Sequence, residues 1–195
     1  FRDVIEMRNE LRYDVYDLQI DYPKPLVPRA LRFEIAERTL ADGRIEKVPA
    51  ASEIQAVAAM LRSAGVRSVA VCFLHSYANA ANERTVARLL AEHAPELAVS
   101  LSSDVLPQIK EYERVSTTTA NAYVKPVVAR YLQRIGDGLG ERGFDGDFYV
   151  MQSGGGVVAT GVAQEFPIKI LESGPAGGVA AARWWGELIG IRDLL

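Results

Sequence analysis

Apolar residues fall at every second position over Leu31-Arg-Phe-Glu-Ile-Ala-Glu-Arg38 as far as Ala36, which predicts a strand with one wet face. Asp42-Gly43 is a turn signal, and Ile45 to Val48 is the expected returning strand of a hairpin. Ahead of it, residues 1–16 alternate apolar and charged positions with a loose helical period. The proline-rich run Tyr22-Pro-Lys-Pro-Leu-Val-Pro28 is a non-helical connector, because proline fixes φ and pushes its predecessor to extended geometry.

The period then changes. Ile54, Val57, Ala58, Leu61 and Ala64 line one face of a helix over about 52–64, with Ser52 and Gln55 spaced as a capping box and Gly65 as its stop. The continuous apolar run Ser68 to Leu74 predicts a strand covered on both faces. A second helix starts at Asn79, carries Val86, Leu89 and Leu90 on one side and stops at Pro95, and a short strand follows over Leu97–Leu101. Strand, helix, strand with short connections implies a parallel pair joined by a right-handed crossover.

Residues 109–125 form a polar, threonine-rich helix candidate, which Pro126 either breaks or follows with a new helix carrying Val128, Tyr131, Leu132, Ile135 and Leu139. Gly136, Gly138 and Gly140 weaken its end by about 1 kcal/mol each relative to alanine. Beyond the Asp145-Gly146 turn come a strand over Phe148–Met151, a glycine-dense stretch, a strand over Pro167–Leu171 and a helix over about 176–189. That helix is apolar nearly all round, through Ala180, Ala181, Ala182, Trp184, Trp185 and Leu188, and expects to be buried. The change in composition sets a boundary near 143–147: a self-sufficient α/β unit over 1–145, then the start of a second domain over 146–195.

Composition narrows the function. Of 195 residues, 49% are hydrophobic and 24% charged, as in an ordinary globular protein rather than a disordered chain. With 22 basic against 25 acidic residues and a net charge of -3, no excess positive charge is available for nucleic acid. No apolar run approaches the roughly 18 residues of a membrane span. The one cysteine, Cys72, cannot form an internal disulfide and is expected in the core, and the expected compartment is the cytoplasm. The first residue is Phe1 rather than Met, so the chain is expected to be processed or a piece of something longer.

Three places carry candidate chemistry. In Ser153-Gly-Gly-Gly156, the positions Gly154, Gly156 and Ala159 fit G-x-G-x-x-A, with Glu172 ending the next strand, which outlines a dinucleotide-binding turn; a tight functional loop and a plain turn are the alternatives. A hydrolase elbow G-x-S-x-G fails, since Met151 stands where its first glycine belongs. Glu172-Ser-Gly-Pro-Ala-Gly-Gly-Val179 lies between a strand and a helix, where unpaired N–H groups suit a phosphate; tight packing at Gly178 is the competing reading. Glu111-Tyr-Glu-Arg114 with Ser116, Thr117, Thr118 and Asn121 either lines a cleft with small hydroxyls or, as its charge favours, forms a solvated face. His75 and His93 have no zinc-like spacing and are expected to be structural, with no metal site.

Several phrases occur together and in order: Phe1-Arg-Asp-Val4, Val71-Cys-Phe-Leu-His-Ser-Tyr77, Ser100-Leu-Ser-Ser103 with Glu111-Tyr-Glu-Arg114, Asn121-Ala-Tyr123, Met151-Gln-Ser-Gly-Gly155 and Ser173-Gly-Pro-Ala-Gly-Gly-Val179. Over nearly its whole length the chain resembles the hydantoinase A / 5-oxoprolinase family, which includes acetone and acetophenone carboxylase subunits. The resemblance implies an α/β, actin-like (ribonuclease H-like) ATPase lobe with a mixed sheet and flanking helices. It further implies ATP and Mg²⁺ as cofactors of the complete protein, a small cyclic amide as substrate, and, as partners, the remaining lobes and a hydantoinase B-type subunit. A ketone carboxylase subunit and a non-catalytic assembly subunit are the alternatives. The family's D-x-G-G-T phosphate loops do not occur in these residues, so the expectation is an internal portion without activity of its own. The resemblance places Ser173, Gly174, Gly177 and Gly178, then Ser153, Gly154 and Gly155, near nucleotide or an interlobe cleft. Glu111, Arg114 and Asn121 are placed at substrate or interlobe contacts. Asparagine commonly stands in the family where this chain has Gly154, which removes any side-chain role there. The Trp184-Trp185 helix is then expected to expose an apolar patch or to meet a second copy.

Overall fold

In the computed structural model, residues 1–8, 16–17, 19–20, 22–191 and 193 are described. The loose helical period expected over 1–16 therefore lies partly outside the described residues; Val4–Met7 forms a short helix, α1. The chain is mixed α/β, and the described strands pair into three two-stranded sheets, one parallel and two antiparallel. It divides into two compact units, Phe1–Tyr123 and Val124–Leu195.

The first unit opens with a hairpin, β1 (Arg38–Thr39) against β2 (Ile45–Lys47), turning at Gly43 with φ +84°. The strand expected from Leu31 is shorter than the alternation suggested. Phe33 and Ile35 pack on the core, yet among the described residues 32–37 find no ladder partner, and Arg29–Leu31 is a 3₁₀ turn. Side chains serve this backbone instead: the Ala36 N–H donates to both Glu53 carboxylate oxygens at 3.1 Å.

Helix α2 (Ala51–Ser63) begins after Ala50, so Ser52 stands inside the first turn rather than at the cap, and the capping box does not form. Buried Pro49 sets the entry, and Glu53 is used by Ala36. The other end matches expectation. Gly65 has φ +67°, and the Val66 and Gly65 N–H groups bond the Leu61 and Arg62 carbonyls, which is a Schellman stop.

Strand β3 (Ser68–Val71) pairs in parallel with β4 (Ala98–Leu101), and helix α3 (Ala81–His93) connects them, giving the expected strand–helix–strand unit. Asn79 does not take the cap position, which is Ala80, but its Oδ1 accepts from the Ala81 N–H at 3.0 Å. The core joins Ile54, Ala58 and Leu61 of α2 to Val71 of β3, Val86, Leu89 and Leu90 of α3, and Ala94 and Leu97 beyond it. After β4 a single turn of helix, α4 (Ser102–Val105), leads to α5 (Glu111–Gly140).

Helix α5 runs 30 residues straight through Pro126, which neither breaks it nor starts a new one. Proline forfeits one N–H bond there, a cost of about 3 kcal/mol. Burial of Ala122 before it and Leu132 after it anchors both halves. In the second unit, β5 (Tyr149–Met151) and β6 (Val157–Ala159) make an antiparallel hairpin, followed by α6 (Thr160–Glu165), a 3₁₀ turn over Pro167–Ile170, and α7 (Ser173–Ile189). The strand expected over Pro167–Leu171 is thus a 3₁₀ turn. Pro167 fits its first position, and the Lys169 carbonyl accepts from Ser153 N at 2.7 Å instead of a sheet neighbour. Helix α7 starts at Ser173, earlier than the pattern suggested, and Gly186 is its one fully buried residue among those described. No described helix is long and apolar enough to cross a membrane.

Candidate functional site

Within the second unit, the two glycine phrases come together. The turn Gln152–Gly156 closes the β5–β6 hairpin, with Gln152 N–H donating to the Gly156 carbonyl at 2.6 Å and Gly155 at φ +86°. The Ser153 hydroxyl oxygen then accepts from the Glu172 N–H at 3.2 Å, at the N-cap of α7. This ties Ser153 to the first turn of α7, where Ser173 and Gly174 stand.

The backbone here is uncovered. A Cβ added at Gly154, Gly155, Gly174 or Gly178 would meet nothing within 4 Å. At Gly177 it would lie 3.6 Å from Met151 Cγ, an ordinary contact. Gly177 is therefore the helix position that faces the hairpin, and Gly178, the position read as a packing glycine, opens outward. The first-turn N–H groups of α7 have no intrahelical acceptor and carry the positive end of the helix dipole, as an anion requires. Open backbone and free N–H groups fit the phosphates of a nucleotide, with Ser153, Gly154, Gly155, Ser173 and Gly174 as the groups that would hold them. Among the described residues, no three His, Cys, Asp or Glu side chains gather to hold a metal ion.

The dinucleotide outline is corrected. After Gly154 and Gly156 comes strand β6, which contains Ala159, where a pyrophosphate-binding turn needs a helix N-terminus. Glu172 caps α7 instead of ending a strand. A separate cleft of 360 Å³ lies in the same unit between α5 and residues 144–149. Its only charged lining residue is Asp147, so it offers nothing to a phosphate, and none of the nucleotide candidates lines it.

Glu111, Arg114 and Asn121 belong to the first unit, and the solvated-face reading of that helix is overturned. Arg114, Thr118 and Asn121 are fully buried, and Glu111 is half-buried. Arg114, Thr118 and Asn121 belong to a buried polar set that includes Glu83, Ser76, Ser100 and Ser102. The Glu83 carboxylate accepts from Phe73 N at 2.9 Å, Ser102 Oγ at 2.5 Å and Ser103 N at 2.9 Å. Arg114 donates to the Phe73 carbonyl at 2.8 Å and the Gln108 carbonyl at 3.1 Å, and Asn121 Nδ2 donates to Ser100 Oγ at 3.0 Å. The sequence reading missed Glu83 and Asn82. Both stand in register with Val86, Leu89 and Leu90 on α3, and a charge in step with an apolar stripe was the available signal.

Cys72 is half-buried at the end of β3. Burial of its thiol, and the nearby Glu83 carboxylate, push its pKa up to about 12, so it is no nucleophile at neutral pH. His75 and His93 are both half-buried. His75 Nδ1 lies 3.2 Å from Tyr77 Oη.

Residues 1–94 match the hydantoinase/oxoprolinase N-terminal region and residues 114–195 the hydantoinase/oxoprolinase model. Caprolactamase subunit alpha of Pseudomonas jessenii is 32% identical over 99% of this chain, which spans 28% of that subunit. The crystal structure of that ATP-dependent caprolactamase superposes with a TM-score of 0.87 over 98% of this chain and 28% of its own. The 5-oxoprolinase of Saccharomyces cerevisiae is 33% identical over 92% of this chain and 16% of its own length. The nucleotide-free acetone carboxylase structure has 33% identity and a TM-score of 0.76, covering 87% of this chain and 24% of that one. The chain thus spans about a quarter or less of these relatives. Two matches to models of one family, which together span most of the chain, and a shared α/β fold lead to one conclusion: this chain belongs to the hydantoinase/oxoprolinase family.

Proposed function

We propose that the whole protein uses ATP to open a cyclic amide of the hydantoin, oxoproline or lactam type, and that residues 146–195 contribute part of the nucleotide site. The carrying observation is the junction of the two glycine phrases, where Ser153 joins the first turn of α7 and four glycines leave the backbone open. An amide carbonyl is a poor electrophile. ATP, when bound, supplies the activation by phosphorylating the amide oxygen, which eases attack at the carbon. The chain's own part is to hold phosphate oxygens on backbone N–H groups. Glu172 beside them is a carboxylate whose charge Mg²⁺, if bound together with ATP, would offset.

The caprolactamase structure supports a cyclic amide over a ketone, because the likeness extends further along the chain than for acetone carboxylase. An actin-like lobe completed by the rest of the polypeptide suits this reading. So does a multi-subunit assembly with a hydantoinase B-type partner, since the relatives are named as subunits. A chain with one cysteine and no disulfide suits the cytoplasm. We infer that the 195 residues alone do not turn over ATP, as they contain no D-x-G-G-T loop.

The test is Gly174→Val in the full-length protein, at a first-turn position named above as holding phosphate. A Cβ there has open space, so the variant should fold normally while losing lactam-dependent ATP turnover. Wild-type turnover in the folded variant would remove α7 from the nucleotide site.

A further inference from the structure

The carboxyl ends of adjacent parallel strands are where open α/β sheets bind their ligands. In the first unit, that edge is formed by the turn Cys72–Tyr77 after β3 and by Ser102–Ser103 after β4. The turn contains His75 at φ +60°, one of two non-glycine residues with positive φ among those described. A histidine in this region is strained, and strain persists only where the surroundings over-determine it.

The surroundings here do so. Phe73 is held at both ends, its N–H on Glu83 and its carbonyl on Arg114. Ser76 Oγ pairs with Ser102 Oγ at 3.0 Å, and Ser102 is itself bound to Glu83. The Ala78 N–H closes the turn on the His75 carbonyl at 2.9 Å. The Arg114 guanidinium carbon lies 5.5 Å from the centre of the Tyr77 ring. Phe73 and Ser76 on either side of His75 are thus held, while its half-buried imidazole touches Tyr77 through Nδ1 and has no hydrogen bond at Nε2 among the described residues. Two buried polar atoms of the same cluster, Arg114 Nε and Ser103 Oγ, also have no hydrogen-bond partner, although the Arg114 guanidinium lies over the Phe1 and Tyr77 rings. Packing alone does not account for a buried charged network that leaves donors unmet and holds one histidine in a strained turn.

We propose that this edge binds the amide of the substrate, with His75 Nε2 as the contacting atom, and with Glu83 and Arg114 as positioning residues. In the tautomer in which Tyr77 Oη donates to Nδ1, Nε2 carries the proton and donates to the amide oxygen. The inference rests on the cyclic-amide reading above and adds the group that recognises the ring.

The experiment is calorimetric binding of ε-caprolactam and 5-oxoproline to the full-length protein, alongside lactam-dependent ATP turnover. His75→Gly suits the positive φ and removes the imidazole. It is expected to weaken lactam binding and raise the lactam KM about tenfold or more, as loss of a recognition hydrogen bond does, with the KM for ATP and the unfolding midpoint not worsened. His75→Asn, which also tolerates this backbone and keeps a shorter donor, is expected to fall between the two and carries the test if the glycine variant is unstable. Lactam binding within twofold of wild type in a folded variant would overturn the inference while leaving the cyclic-amide reading in place. A wild-type protein that binds neither lactam and shows no lactam-dependent turnover would overturn both.

Discussion

The Ser102 hydroxyl, at the end of β4, donates a 2.5 Å hydrogen bond to the Glu83 carboxylate, in the first turn of α3. Both residues are fully buried. The bond joins the exit of one parallel strand to the helix that precedes it, and the second Glu83 oxygen secures the same exit through Ser103 N. Both Glu83 oxygens are acceptors, one of them shared between Phe73 N and Ser102 Oγ.

Glu83→Gln should therefore destabilise the fold by about 3 kcal/mol, because an amide NH₂ would face a backbone N–H in a fully buried site. Ser102→Ala should cost about 1 kcal/mol, since Glu83 keeps two backbone donors. Urea unfolding of the two variants measures the difference, and equal losses would contradict the acceptor role of both oxygens.

Cys72 should resist alkylation. With its pKa raised to about 12 by burial and by Glu83, the folded thiol is protonated at pH 8, where an unfolded one is partly ionised. Iodoacetamide should label it many times more slowly in native than in denaturing buffer. The sign for stability follows. The unfolded thiol loses its proton near its ordinary value of 9.0 and the folded one near 12, so this group's contribution is intact below pH 9 and declines as the pH rises through that window. Cys72→Ser should flatten the alkaline decline.

Glu96 should titrate far below an ordinary glutamate. Its hydrogen bonds with the Arg62 guanidinium, at 2.5 and 3.0 Å, together with a backbone hydrogen bond, lower its pKa to about 2. The stabilisation is present above the unfolded value of 4.5 and is lost as the pH falls toward 2. Arg62→Gln should return the Glu96 midpoint toward 4.5 in an NMR titration. The pair is exposed, so stability at pH 7 should change little.

Trp184 and Trp185 meet edge to face at 5.1 Å, yet each is more than half exposed, as are Val179, Leu188 and Ile189 on the same helix. Trp184→Lys with Trp185→Glu should reduce dye binding and any self-association of the 195-residue chain, while changing its unfolding free energy by no more than about 1 kcal/mol. Sedimentation velocity and 8-anilinonaphthalene-1-sulfonate fluorescence report on the two effects. A large loss of stability would mean that the indoles pack within the chain.

Local pattern carried the first unit well. The alternation to Ala36 placed Phe33 and Ile35 on the core, the 3.6-residue stripes located α2 and α3, and Gly65 marked a true stop. It failed where a side chain replaced a backbone partner. Nothing in residues 32–37 says that Glu53, seventeen positions on, will take the Ala36 N–H. The charged phrase Glu111–Arg114 looks wet for the same reason. The burial of Arg114 depends on carbonyls of Phe73 and Gln108, which no helical period can reveal.

The sequence by itself determined the family, through phrases whose order and spacing survive without any contact being known, and the class of fold, through periods set by backbone geometry. It also determined which glycines crowd into two phrases. Tertiary structure alone decided that those phrases meet through Ser153 and Glu172, that Pro126 rides inside a continuous helix, and that Glu83 and Arg114 are buried around a strained His75. The physical reason is common to all three. Hydrogen bonds between distant residues, and the burial that makes them strong, are properties of the folded arrangement and leave no periodic trace along the chain.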